Sequence, residues 1–574
     1  MRNRTLGIRK FDSILLASSI EMIVGVLIEL IDSAVTGHVI GMTGLSAMNV
    51  IAPILGFTMF TENLFSVGTS MLYAKDTGEY RQEASEQAFG MGLELSALVG
   101  VLTYAAVTLL LPAYLDVMGV RGPVRECVMT YMSFLRFELL LSPVYEVINL
   151  LITTDGDEYL SMASTIARPL LNIGLSIWLG RRFGMAGIGI GTVVSTVVAF
   201  AILTLHFFSK RSSLRPKPWF SREDLGAMLL FGWNDSAMFF VLPALFFIIT
   251  KLVILRHGDD YLPVLTVLYA IIEITSVFEV TGEGMRAILP IYIGDRNNRA
   301  VLRLTKHSRR INQAFGFLFA AVLVVAAEGI PMAFDIEDPQ LLALSARGIR
   351  VYAIACPVLS EIALVNSFFL NTGRPKIAML ETLLAQLLCP LAMVVPLLLL
   401  LGPDGIFIGF AASAYLALLI LGIVIYRRYG RKSFPYCLED NDRPMLDEEI
   451  ALDDADVMAF VGRVDGFLGE NRVPKKTAAL VELACEEYLL LTRERNGDKK
   501  VQAECCVRVD PDSVVFSIWD SGEVFDITDE DTLPGSIRAY VVAELMERQA
   551  GKKHVLATSF NRNSFSFPIA GGET

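Results

Sequence analysis

Long apolar stretches, each broken by a short polar or glycine-containing turn, fill the first three quarters of this chain. A helix needs roughly 20 mostly apolar residues to cross a bilayer, and about twelve stretches up to Tyr426 reach that length. Their approximate spans are 13–36, 45–73, 87–111, 127–152, 161–180, 187–209, 225–253, 262–291, 310–331, 342–370, 377–401 and 405–426. The punctuation repeats. GMAGIGIG at Gly184–Gly191 returns as GPDGIFIG at Gly402–Gly409, about 218 residues later, and each copy precedes an apolar run. Thr154-Asp155-Gly156 is echoed by Thr372-Gly373-Arg374, and the polar break Ala74–Glu86 by Gly294–Ser308. The pattern predicts an all-α membrane protein of six plus six helices: one bundle over 1–210, a linker over 211–224 and a second bundle over 225–430. Duplicated bundles are typical of secondary transporters, whose sites lie between the repeats near the bilayer midplane.

Composition agrees: 53% of residues are hydrophobic, 19% are charged and the mean hydropathy is +0.52. Charge gives the orientation. Alternate loops carry roughly 23 Lys and Arg on one side and about 5 on the other, so both ends of the bundle are expected in the cytoplasm. The first apolar run is too long for a signal peptide, carries Glu21 and Glu29, and lacks a clear cleavage site. The net charge of −12 resides largely after Cys437. Seven cysteines without CxxC spacing predict neither a disulfide framework nor a zinc site.

Past Gly430 the pattern changes. An acidic linker over 431–449 leads to a soluble, mixed α/β segment over 450–574, with helical periodicity at Val457–Leu468, Thr477–Arg493 and Ser536–Arg548. Strands are expected at Val507–Val509 and Val514–Trp519, around the turn Pro511-Asp512-Ser513. The order of elements, Leu483-Ala484-Cys485-Glu486-Glu487, Trp519–Asp526 and Ser559–Asn563 resemble the GHKL ATP-binding fold in its anti-sigma-factor form. The resemblance implies that Asp520 receives the adenine amino group, that Gly522 lets backbone approach the base, and that Glu487 and Gly535 belong to the remaining boxes. Leu491 stands where the family's Mg²⁺-holding Asn belongs, and Arg538 where a Gly is usual. Leucine offers no hard oxygen ligand, so ATP turnover is not expected. Nucleotide sensing or protein binding is favoured, and ATP binding stays open.

An ionisable group inside a membrane helix costs about 2.5–3.5 kcal/mol on insertion scales, so each is a functional candidate. Asp32 lies in Leu30-Ile31-Asp32-Ser33-Ala34-Val35-Thr36-Gly37. That stretch, with Gly44-Leu45-Ser46-Ala47, Pro53, Asp155–Glu158, Leu171-Asn172-Ile173, Gly187–Thr192 and Leu370–Pro375, resembles the MATE (multidrug and toxic compound extrusion) transporters over Phe11 to about Arg428. The resemblance implies two six-helix bundles about a pseudo-twofold axis and export of organic cations and other amphiphiles against H⁺ or Na⁺. It places ion coupling at Asp32, Asn172 and Thr192. Ser176 stands where many relatives have Asp, and Glu361 matches an acidic position some members use for Na⁺. Glu29, Glu62, Glu146, Glu279 and Glu283 are expected to line a cation-attracting cavity. Glu283–Arg286 reads as a structural ion pair, Arg136 as a partner of Glu138 or of a neighbouring helix, and Arg168 as a side chain reaching the interface.

The leading expectation is an ion-coupled antiporter of the plasma (inner) membrane, not an enzyme. It requires no cofactor or resident metal and no nucleic acid. Its partners are an amphiphilic substrate, the bilayer and a cytoplasmic regulatory protein, and its tail is a degenerate regulatory domain. A membrane receptor, a lipid-linked sugar flippase and a protein-serine kinase tail are the alternatives.

Overall fold

The structure is a computed structural model. It describes residues 5–40, 42–209, 212–334, 336–433, 443–497, 499–524, 538, 540–542 and 551–569, with no side chain described at 25–42, 45, 49, 259, 432–433, 551–552 and 557. In the first half, helices α1 (Leu6–Ile40), α2 (Met42–Gly78), α3 (Gln82–Val117), α4 (Pro123–Asp155), α5 (Glu158–Phe183) and α6 (Met185–Thr204) follow one another through short turns. The second half is built from more broken helices. The pairs α7 (Arg222–Ser236) with α8 (Met238–His257), and α9 (Leu262–Ile274) with α10 (Val280–Gly294), run on as single apolar rods. Then come α11 (Asn298–Ala326), the short α12 (Gly329–Ala333), α13 (Pro339–Ala353), α14 (Cys356–Asn371), α15 (Pro375–Leu383), α16 (Cys389–Leu401) and α17 (Asp404–Ser433).

By length and composition, 8 helices among the described residues can cross a membrane, or up to 9 if α13 and α14, bent by 48°, form one span. Two long helices whose side chains are described throughout, α4 and α5, fall short; they carry Arg136, Glu138, Glu146 and Arg168. Composition, not length, separates them from the rest, because buried charge lowers hydropathy.

The tail forms β1 (Met445–Ala451), α18 (Asp454–Glu470), α19 (Lys475–Asn496), β2 (Gln502–Val509), β3 (Ser513–Asp520), β4 (Gly551–Ala557) and β5 (Phe560–Pro568). The sheet is antiparallel throughout, in the order β1-β2-β3-β5-β4. β1 begins inside the stretch expected to be linker, and β2 starts five residues before the strand expected at Val507. Arg538 and Tyr540–Val542 are helical, and the rest of the helix expected at Ser536–Arg548 lies outside the described residues.

Side chains alternate across a strand, and both faces of this sheet are used. Ala503, Cys505, Val507, Val514, Phe516, Ile518, Phe565 and Phe567 pack beneath α18 and α19 with Val457, Phe460, Val481 and Tyr488. The intervening residues Glu504, Arg508, Trp519 and Arg562 face the bundle, and Trp519 and Val555 join a core with Leu6, Phe11, Ile288 and Tyr292. The sheet sits on the end of the bundle that carries the basic loops.

Candidate functional site

A cavity of about 340 Å³ opens within the second half. Four helix irregularities border it: the α7–α8 turn, the 3-10 turn Thr275–Glu279, the α13–α14 bend and the π-helical turn Leu384–Leu388. Irregular backbone at membrane depth is tolerated where it lines a cavity. Among the described residues, Asp235, Glu273, Glu279, Glu283 and Glu381 line it with a single cation, Arg286, alongside Asn234, Asn366, Thr382 and Gln386. Arg286 reaches Glu283 at 3.2 Å and Asp235 at 3.3 Å. Asn366 donates to Glu381, and Thr382 Oγ1 donates to Asn234 Oδ1 at 2.9 Å. Five carboxyls against one guanidinium leave the walls acidic.

Of the expected cavity residues, Glu279 and Glu283 line this cavity, and the Glu283–Arg286 pair forms. Asp235, Asn366 and Glu381 were not singled out. Glu381 had a visible signal, as the one acidic residue in the apolar run 377–401. Glu361 does not line this cavity. It accepts from Arg309 Nε and Gln313 Nε2, both at 2.9 Å.

In the first half, Ser176 Oγ and Thr192 Oγ1 both donate to Asn172 Oδ1, at 3.3 and 3.1 Å, so three of the proposed coupling residues meet. The Asp32 and Glu29 side chains lie outside the described residues. Arg168 does not reach to an interface. It is drawn inward by Glu138 and by Glu146 at 3.2 Å, with Tyr145 under its guanidinium at 4.9 Å. The two carboxylates offset part of the desolvation cost of burying the guanidinium. Glu138 is thereby taken, and Arg136 instead lies over Tyr104 and Phe137 and hydrogen-bonds Thr108 at 3.4 Å. Glu62 accepts from Ser142 across α2 and α4.

In the tail, Asp520 is fully buried and already satisfied. Tyr488 Oη donates to it at 2.9 Å, Asn561 Nδ2 at 3.0 Å and the Gly522 backbone N–H at 2.9 Å. Burial pushes its carboxyl above the usual range, against those hydrogen bonds. Glu487 pairs with Arg538 at 2.9 Å, so the arginine in place of the usual glycine occupies the acidic helix's carboxylate. Gly535 lies outside the described residues. Among the described residues, no group of three or more His, Cys, Asp or Glu is placed to hold a metal ion.

The sequence model of the family described as MatE matches residues 17–178. No curated protein matches the chain in sequence. Among solved structures, an outward-facing multidrug resistance MATE family transporter of the MOP superfamily is similar, with 19% identity and a TM-score of 0.68 over 74% of this chain and 96% of that one. A MATE transporter in complex with MaL6 gives 19% identity and a TM-score of 0.67 over 74% and 97%. A MOP superfamily transporter from Pyrococcus furiosus, described by a reversed binding-pocket polarity that suggests a different function, gives 18% and 0.67 over 74% and 96%. The helical three quarters of this chain thus have the fold of the MATE multidrug transporters, and an antiparallel-sheet domain is seated on one end of it.

Proposed function

We propose that the chain is an ion-coupled antiporter that exports organic cations or other cationic amphiphiles by alternating access, with its basic end in the cytoplasm. The observation that carries this reading is the second-half cavity, roomy enough for a small organic molecule and walled by Asp235, Glu273, Glu279, Glu283 and Glu381 against Arg286. Acidic walls of low dielectric attract cations and reject anions. Pocket polarity is also the feature that sets apart one of the similar transporters. H⁺ or Na⁺ is the coupling ion. Asn172, Ser176 and Thr192 supply the hydrogen bonds that would meet an Asp32 whose charge changes with access.

The tail is a degenerate GHKL-like domain that regulates the bundle. Two helices over one face of the antiparallel sheet, with Asp520 and Gly522 at the end of β3, support that likeness. The Glu487–Arg538 pair and Leu491 weigh against turnover of ATP.

Reconstitution in proteoliposomes tests the transport reading. A fluorescent organic cation should move against an imposed H⁺ or Na⁺ gradient, and Glu279→Gln should cut its uptake efficiency about tenfold, the equivalent of one lost ~1.4 kcal/mol interaction. Flux unchanged in Glu279→Gln and Asp32→Asn under both gradients would exclude the assignment. A protein that moves no cation but alters the binding of a cytoplasmic partner would be a receptor instead.

A further inference from the structure

We propose that the C-terminal sheet is a staple across the two half-bundles, holding their basic ends together, and that this end opens only when the sheet releases one half. The inference rests on the alternating-access reading above and names how the tail would control it.

Arg562 of β5 carries the argument. It is fully buried and faces the bundle. Its Nη1 donates to the Thr77 and Gly78 carbonyls at the end of α2, at 3.0 and 2.9 Å. Its Nη2 donates to the Ile291 carbonyl at 3.0 Å and to Asp295 Oδ1 at 2.8 Å, at the end of α10. One guanidinium therefore holds both halves, with the Tyr80 ring 3.8 Å away. Burial opposes its charge, yet Asp295 and the surrounding acceptors hold it firmly protonated.

Glu504 of β2 makes a second bridge. It accepts from the Gly7 backbone N–H of α1 at 3.3 Å and from Tyr292 Oη of α10 at 3.0 Å. Around these two residues the sheet grips each half separately. On the first, Glu449 pairs with Arg9, and Ser559 Oγ donates to the Asp155 carbonyl at 3.1 Å. On the second, Asp447 takes Asn297 at 2.9 Å and Arg303 at 2.5 Å, and the Met445 carbonyl takes Arg299 at 2.9 Å. Acidic β1 thus meets the basic helix ends.

The gripped ends also touch each other. Tyr80 Oη donates to Asp295 Oδ1 at 3.0 Å, and a Cβ on Gly294 would overlap the Gly78 carbonyl. Those ends must part for access from this side. If they did, Arg562 would lose two of its charge-assisted hydrogen bonds while still buried, which is costly. The interface is polar as well as apolar, the composition of inter-domain contacts that come apart.

Spin labels on exposed Glu83 of α3 and Lys306 of α11 report the separation, in full-length protein in nanodiscs with Cys127 and Cys437 replaced by Ser. The unaltered interface should give a short, narrow distance distribution. Arg562→Ala should raise the long-distance population about tenfold, losing the equivalent of one charge-assisted bond. Asp447→Lys should do the same, and adding Arg303→Asp should restore the short distance. Lys476→Ala, on the helix side of the sheet, is the control. Distances unchanged in both Arg562→Ala and Asp447→Lys would overturn the staple, as would failure of the reversed pair to restore them. Because distance is read without flux, absent transport with responsive distances would overturn only the exporter reading. Normal transport with unresponsive distances would overturn only the staple.

Discussion

At the scale of single residues, burial decides what a charge does. Glu504 is the clearest case outside the membrane helices. Burial pushes its carboxyl up to about 7, Asp447 adds to the rise, and Arg303 opposes it. The folded protein therefore holds this proton more tightly than the unfolded chain, where the carboxyl titrates near 4.5. The linked stability is fully present below about pH 4.5 and is lost as pH rises through about 7. At most about 3.5 kcal/mol is at stake, from some 1.4 kcal/mol per pKa unit. Full-length protein should melt at a lower temperature at pH 8 than at pH 6. Glu504→Gln should flatten that difference, because the amide oxygen accepts the same bonds without titrating. An equally steep pH dependence in the variant would remove Glu504 as its source. The same principle explains what the sequence showed of the site. Each of Glu62, Glu138, Glu146, Glu279 and Glu283 is visible as a charge in an apolar run. Which cation meets which carboxylate depends on neighbouring helices, so Arg168 looked like an interfacial residue until α4 was packed beside α5.

At the scale of elements, the repeated glycine motif proves to be a packing device. Gly184 and Gly402 turn the chain with φ of +59° and +67°, a conformation that suits glycine. Three residues on, a Cβ at Gly187 would overlap the Leu179 carbonyl, and one at Gly405 would overlap the Leu397 carbonyl. The two copies do the same work: each brings a closing helix, α6 or α17, against the helix before it. Gly187→Ala and Gly405→Ala should each cost about 1–3 kcal/mol, the usual penalty for overpacking. Thermal melting in detergent should show similar losses for both, whereas Gly422→Ala, where a Cβ meets nothing, should show none. A loss at only one of the pair would mean that the repeat is sequence similarity without a shared structural role. Periodicity located these helices well because their boundaries are glycine turns. It did not reveal the breaks at Thr275–Glu279 and Leu384–Leu388, since neither segment contains a Gly or Pro to mark a turn and the backbone departs from the α-helix there only in its tertiary setting. The five-stranded sheet was only partly legible: β1 is an acidic strand whose inward face is short, and acidic composition reads as linker.

At the scale of the whole molecule, the two halves share a frame and differ in chemistry. The first brings Asn172, Ser176 and Thr192 into one hydrogen-bonded set and compensates Glu138 and Glu146 with Arg168. The second opens a cavity that the described residues line with five acids and one arginine. The proposed function implies a division of labour, with ion coupling assigned to the first half and cargo binding to the second. It predicts a separation between two measurements. An organic cation that binds the native state raises the melting temperature by an amount set by its affinity. Glu279→Gln and Glu381→Gln should reduce that shift, as about tenfold weaker binding per lost charge would. Asn172→Ala should leave the shift intact, because its side chain lies in the other half, yet should weaken the dependence of cation efflux on the driving gradient. If Asn172→Ala abolished the cation-induced shift, or Glu279→Gln left it whole while uncoupling efflux, the division between the halves would be wrong. Cargo and coupling ion would then compete for one shared set of carboxylates.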